Sequence, residues 1–250
     1  MALHAIITAG GRLPPELREY SPSPIKALLP FGGRTLLEAA CRAAIDTGMI
    51  ERIVVVGGAE VRAATPAGAQ YVAEGADVVE NLLTGYQALG GEDHNYAVIS
   101  PDLPFVTGDA LAAFLAAAMT NCEIGLPIVS AEDFLARFPG AQNRFVRLDS
   151  AGVTLGSCLC LTGHALITNI PLARDIYRLR KYPHRLAVLF GMPIALAFLS
   201  GRTALAALEA RAERLTGVRV RGLRSQNAVL AYDIDNRANY AYAVQHLQGG

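Results

Sequence analysis

The chain has 250 residues, is 52% hydrophobic, and balances 22 Lys and Arg against 22 Asp and Glu. That length supports one large core or two smaller domains, and zero net charge without a long basic run disfavours nucleic-acid binding through a charged face. The longest apolar segment, Leu186 to Leu199, is interrupted by Gly191 and Pro193 and falls short of the ~20 residues that span a bilayer, which argues against stable membrane insertion.

Ala2 to Thr8 reads as a buried strand that stops at Ala9-Gly10-Gly11-Arg12. Arg34 to Thr47 places Leu36, Leu37, Ala40 and Ala44 at helical spacing and ends at Gly48. Arg52 to Val56 is a second buried strand, ending in Gly57-Gly58, and Asn81 to Leu89 suits a helix closed by Gly90-Gly91. Tyr96 to Ser100 is a third strand with Asp102 just past its end. Thr107 is placed to cap a helix running to Met119. Cys122 to Pro127 is a fourth strand. Arg144 to Leu148 and Val153 to Leu161 pair as a hairpin across Asp149-Ser150-Ala151-Gly152. Ala204 to Leu215 is helical, Val218 to Leu223 and Val229 to Ile234 are strands, and Arg237 to Leu247 is the last helix. The stretch from about 170 to 200 is least like the rest and reads as a helical insertion or subdomain within one domain spanning 1–250. Its segment Leu186 to Leu199 suits a buried helix pair or a homodimer contact.

Strands separated by helices predict a Rossmann-like three-layer α/β/α architecture, with a mostly parallel mixed sheet covered on both faces. In such sheets ligands bind beyond the carboxyl ends of strands. That rule gathers Gly10, Gly11, Asp102 and Asp235 on one rim. Glycines at such a corner expose backbone N–H donors to an anion. Only Lys26 and Lys181 are lysines in a chain whose default cation is arginine. Lys26 therefore reads as a compact point charge placed for a purpose. Two carboxylates at strand ends, near a phosphate cradle, suit Mg²⁺ or Mn²⁺.

The four cysteines, Cys41, Cys122, Cys158 and Cys160, lack zinc spacing and read as buried thiols. No charged n-region precedes an apolar stretch at the N-terminus. Both features point to the cytoplasm. His4, His94, His164, His184 and His246 are scattered without ligand spacing.

Ala9-Gly10-Gly11, then Lys26-Ala27-Leu28-Leu29 with Gly32-Gly33, then Asp102-Leu103-Pro104, then Asp233-Ile234-Asp235-Asn236 follow one another along nearly the whole chain. In that order they resemble the GT-A-like nucleotidyltransferases, in the branch that includes the molybdenum cofactor guanylyltransferases. The resemblance implies transfer of a nucleoside monophosphate from an NTP to a small phosphorylated acceptor, with release of pyrophosphate. It implies that Ala9, Gly10, Gly11 and Arg12 hold the triphosphate end, that Lys26 stabilises charge on the α-phosphate, and that Asp102 and Asp235 bind Mg²⁺ or Mn²⁺. By the same resemblance Glu80 to Gly85, with Asn81, Thr84 and Gly85, lines the base. Such chemistry asks the protein for positioning and charge neutralisation rather than a nucleophile.

The stretch after the glycines departs from the family form. Leu13-Pro14-Pro15-Glu16-Leu17 stands where another glycine and an arginine are common, with Arg12 and Arg18 on either side. The Pro-rich loop from Leu13 to Pro24 reads as a mobile lid. A catalytically silent domain that binds a nucleotide or sugar nucleotide fits the altered loop. A dinucleotide-binding oxidoreductase does not fit, since the corner lacks G-x-G-x-x-G spacing. On the acceptor side, Arg144 and Arg147 suit bidentate contact with the phosphate or carboxylate of an acidic acceptor, and Gly156 stands with them as an acceptor-side residue on the next strand. Arg174, Arg178, Arg180, Lys181 and Arg185 read as a solvated basic face.

Overall fold

The computed structural model describes residues 1–179, 191 and 203–247. Most of the expected insertion, Leu186 to Leu199 apart from Gly191, His184, and the basic residues Arg180, Lys181 and Arg185 lie outside the described residues, and the homodimer expectation with them.

From the N-terminus the elements are β1 (Leu3–Thr8), β2 (Pro30–Phe31), β3 (Arg34–Thr35), α1 (Leu36–Asp46), β4 (Arg52–Gly57), α2 (Ala59–Ala64), β5 (Ala69–Ala73) and α3 (Val78–Leu89). Then come β6 (Asn95–Ile99), α4 (Gly108–Asn121), β7 (Ile124–Ser130), α5 (Ala131–Arg137), β8 (Val146–Leu148), β9 (Ala151–Leu155) and β10 (Cys158–Thr162). The described chain closes with α6 (Gly163–Thr168), α7 (Ile170–Leu179), α8 (Leu205–Thr216), β11 (Val220–Arg224) and α9 (Arg237–Leu247).

The main sheet has the order β5-β4-β1-β6-β10-β7-β9-β8, with β11 on β7. Its β5, β4, β1 and β6 are parallel, as are β7 and β11, while β10, β9 and β8 pair antiparallel. Side-chain alternation builds the layers. Ala5, Ile7, Ile53 and Val55 face α1 and α4, where Leu37, Ala40, Leu111 and Leu115 complete one core. Ile6, Val54 and Val56 face the other way, against Val79, Tyr86 and Leu89 of α3. The result is a three-layer α/β fold with a mixed sheet. Helix starts are fixed as the sequence demands. Thr35 and Glu38 close a capping box on α1, Asp77 caps α3 and Thr107 caps α4.

Three expectations need correction. The run Val153 to Leu161 is not one strand: it breaks at Gly156-Ser157 into β9 and β10. The Gly156 N–H donates to the Pro127 carbonyl and the Ser157 N–H to that of Leu230, each at 2.8 Å. The run Val229 to Ile234 is not a strand. It is a 3₁₀ turn over Ala228–Leu230 followed by irregular chain. Leu230, Ala231, Tyr232 and Ile234 are all buried, so an unbroken apolar run here marks a segment enclosed on every side, which periodicity cannot tell from a strand. Nor is the Leu13 to Pro24 loop a lid. Leu13 and Leu17 are buried in a third cluster with Leu29, Phe31, Phe134, Phe138, Tyr232 and Ile234. Its ends are clasped by the Leu13 N–H donating to Pro24 and the Lys26 N–H donating to Gly11, each at 2.8 Å. Burial of Leu17 alone contributes about 2 kcal/mol toward holding the loop down.

The cysteines are unbridged, and Cys41, Cys158 and Cys160 are buried. No helix among the described residues is long and apolar enough to cross a membrane.

Gly85 lies on the sheet-facing side of α3: a Cβ there would come within 2.6 Å of Ile6 Cγ2 and 3.3 Å of Val56 Cγ2. The glycine lets helix and sheet approach closely. Gly85→Ala is expected to destabilise the protein by about 1–3 kcal/mol through overpacking, read as a lower urea midpoint at unchanged slope.

Candidate active site

Three segments distant in sequence meet at the carboxyl ends of β1 and β6. Lys26 opens a 3₁₀ turn, Lys26–Leu28, and its backbone is pinned to the glycine corner by the hydrogen bond to Gly11. Asp102 follows β6. Asp233 and Asp235 come from the irregular chain before α9. The Ile234 N–H donates to the Asp102 carbonyl at 3.1 Å, which ties that chain to the end of β6.

The Lys26 ammonium donates to Asp102 Oδ2 at 2.6 Å and to Asp235 Oδ1 at 2.8 Å. Lys26 and Asp102 are largely enclosed, with side chains 16% and 14% exposed, whereas Asp235 is 65% exposed. Burial alone would lower the Lys26 pKa. The carboxylates of Asp102 and Asp235 more than offset it and hold the ammonium above the ordinary lysine value. The Ser100 hydroxyl donates to Asp102 Oδ1 at 2.5 Å and orients that carboxylate. Carboxylate oxygens of Asp102, Asp233 and Asp235 lie within 4.8 Å of one another. Burial pushes the Asp233 carboxyl up to about 6, with Asp235 and Asp102 adding to the rise and Lys26 opposing it. A hard divalent cation takes carboxylate oxygens in this way, so the donor set fits Mg²⁺ or Mn²⁺.

The expected residues divide by position. Ala9 is buried, and its N–H donates to the Val56 carbonyl, so it anchors the corner. Gly11 is open: nothing would lie within 4 Å of a Cβ there. Arg12 and Arg18 are exposed, and only Arg12 sits on the clasp, as a bridge to Ile25. Asn81 lies beside Gly10, its Nδ2 3.2 Å from where a Gly10 Cβ would be. Thr84 turns its hydroxyl back to the Glu80 carbonyl at 2.8 Å. At the start of α3, Asp77 accepts from the Val79 and Glu80 N–H groups.

Arg144 lines a cavity of about 640 Å³ that reaches Asp233 and Asp235 and includes Asn143, Asn236 and Asn239. Gly156 does not line it. A Cβ there would overlap Pro127 and crowd the Leu230 carbonyl, so its smallness serves the β9–β10 corner. Arg147 is exposed on the edge strand β8 and also lies outside the cavity lining.

Sequence reasoning left out Ser100 and Asp233 as site residues. A signal existed for each, a polar residue two positions before an aspartate at a chain corner. Glu74, whose carboxylate lies over Gly10, had none.

A family model described as MobA-like NTP transferase domain matches residues 5–220. A hypothetical transferase structure from Thermus thermophilus is 31% identical, with a TM-score of 0.85 over 96% of this chain and 99% of that one. A nucleotidyl transferase from Methanothermobacter thermautotrophicus shares the fold at 19% identity and a TM-score of 0.61, covering 99% of this chain and 98% of that one. A Mycobacterium tuberculosis protein in complex with manganese shares it at 16% identity and a TM-score of 0.53, covering 98% of this chain and 99% of that one. A search of curated proteins gives no match.

The raised Asp233 pKa has a sign that can be checked. A carboxyl whose folded pKa lies above the unfolded value of about 3.9 removes stability as pH rises through about 6. Asp233→Asn is therefore expected to be more stable than the parent at pH 8 without divalent cations, by on the order of 1–2 kcal/mol. The advantage should vanish by about pH 4 in chemical denaturation.

Proposed function

This chain belongs to the MobA-like NTP transferase domain family, and from that premise we propose that it transfers a nucleoside monophosphate from an NTP to a small phosphorylated acceptor and releases pyrophosphate. The observation that carries the reading is the Lys26 ammonium held between Asp102 and Asp235 beside an open glycine corner. It supports a Mg²⁺- or Mn²⁺-dependent reaction. Asp102, Asp233 and Asp235 would hold the ion, whose chemistry is to neutralise phosphate oxygens. The manganese bound by one structural neighbour agrees with that choice.

The protein's own part is positional. Gly11 and Arg12 receive the triphosphate, the first by leaving its backbone uncovered, the second as an exposed guanidinium. Lys26 sits where charge builds on the α-phosphate, and its raised pKa keeps it protonated through neutral pH. The acceptor enters the cavity beside Asp235, with its own phosphate as the attacking group. An anionic phosphate needs no general base. Arg144 stands at that cavity as an exposed cation without an ion-pair partner among the described residues, and it suits an acidic acceptor. The unbridged cysteines are compatible with a reducing cytoplasm.

Pyrophosphate release across NTPs and acceptor phosphates, with Mg²⁺, tests the reading. Lys26→Ala and Asp102→Asn are each expected to lower turnover by about 10²–10³-fold while circular dichroism stays native. Nucleotide binding without release of pyrophosphate with any acceptor would instead leave a silent binding domain. Parental turnover in either variant would remove the assigned roles.

A further inference from the structure

The Lys26 ammonium holds carboxylate oxygens that a second cation would also need. It donates to Asp102 Oδ2 at 2.6 Å and to Asp235 Oδ1 at 2.8 Å. The other oxygen of Asp102, Oδ1, accepts from the Ser100 hydroxyl at 2.5 Å. Both oxygens of Asp102 are therefore engaged, and the ammonium takes one oxygen from each of two acids. A cation bridging Asp102 and Asp235 would enter at the same place. Two like charges in contact repel strongly where water is partly excluded. The Lys26 side chain is only 16% exposed, so little water screens that repulsion.

The Lys26 backbone is fixed. Its N–H donates to the Gly11 carbonyl at 2.8 Å, and its carbonyl accepts from the Leu29 N–H at 3.1 Å. Movement is left to the flexible four-carbon stem. A fixed pivot next to the open Gly11 gives the ammonium two anionic partners to choose between. One is the acid pair, and the other is a phosphate lying along Gly11 and Arg12.

We propose that Lys26 is a displaceable latch on the acidic site. The ammonium and a divalent ion compete for Asp102 and Asp235, and Lys26 moves to the phosphate as the ion takes the carboxylates. The proposal rests on the transferase reading above, in which the same two acids hold the ion while Lys26 serves the α-phosphate. A bare cation then binds weakly, because displacing the ammonium leaves it without an anionic partner. A cation that arrives with a polyphosphate supplies that partner. Ion and triphosphate thus favour the same position of Lys26, and each strengthens the binding of the other.

The test uses the full chain and Mn²⁺ alone, followed by the electron paramagnetic resonance of the free ion. Lys26→Met keeps an apolar stem and removes the charge. It is expected to bind Mn²⁺ at least about tenfold tighter than the parent. A second measurement needs no variant. Lys26 and Lys181 are the only lysines, so acylation of the parent, read by peptide mass spectrometry, resolves one against the other. Mg²⁺ is expected to raise labelling of Lys26 relative to Lys181 by about threefold or more, as the ammonium comes off the acids. Should Lys26→Met fail to fold, the labelling decides alone. Equal or weaker Mn²⁺ binding by a folded Lys26→Met overturns the latch. So does labelling that Mg²⁺ leaves unchanged or lowers; with tighter Mn²⁺ binding, that result assigns Lys26 a repulsion exerted from where it stands. Both results leave the transferase reading intact. A parent that binds no NTP in the presence of Mn²⁺ overturns that reading itself, and the latch with it.

Discussion

One ammonium group organises this site. Asp102, Asp233 and Asp235 bring carboxylate oxygens within 4.8 Å of one another at a strand-end corner, an arrangement that repels itself. Lys26 lies between two of them, at 2.6 and 2.8 Å, and lets acids distant in sequence share one rim. Burial pushes the Asp233 carboxyl up to about 6, and the neighbouring Asp235 and Asp102 add to the rise.

Apolar packing and small residues make that convergence possible. Leu13 and Leu17 pull the Pro-rich loop against Phe134, Phe138 and Tyr232, so Lys26 leaves the clasp on a fixed path. Tyr232 and Ile234 belong to the same cluster and flank Asp233. Alternation along Tyr232-Asp233-Ile234-Asp235 buries one set of side chains and frees the other. Gly156 admits the Leu230 carbonyl beside β9 and β10, and Gly85 admits α3 onto β1. These glycines let segments approach closely. Gly10 has a different duty, because its missing side chain makes room for a carboxylate.

The site is divided along the corner. Acidic Glu74 and the amide of Asn81 stand by Gly10, while Gly11 is bare and leads to Arg12 and Lys26.

The layers were legible in the residues. Apolar runs in Ala5 to Ile7 and Ile53 to Val56, helical spacing from Leu36 to Ala44, and the cap at Thr107 depend on near neighbours, so local pattern was sufficient. Lys26, Asp102 and Asp235 were legible as well, because a scarce lysine and aspartates at strand ends stand out from the background. What stayed hidden depends on which distant segment lies alongside. The Val229 to Ile234 run looks like a strand until its partners turn out to be side chains on all sides. The Leu13 to Pro24 loop looks free until Phe134 and Tyr232 cover it. Gly85 and Gly156 look like ligand glycines until Ile6, Pro127 and Leu230 are seen against them, and Glu74 has no mark of its own until β5 lays it over Gly10. The sequence by itself determined the periodicity and the supply of charged groups. Only tertiary structure decided which of them face each other, because contact across long chain separations is set by packing that no local pattern encodes.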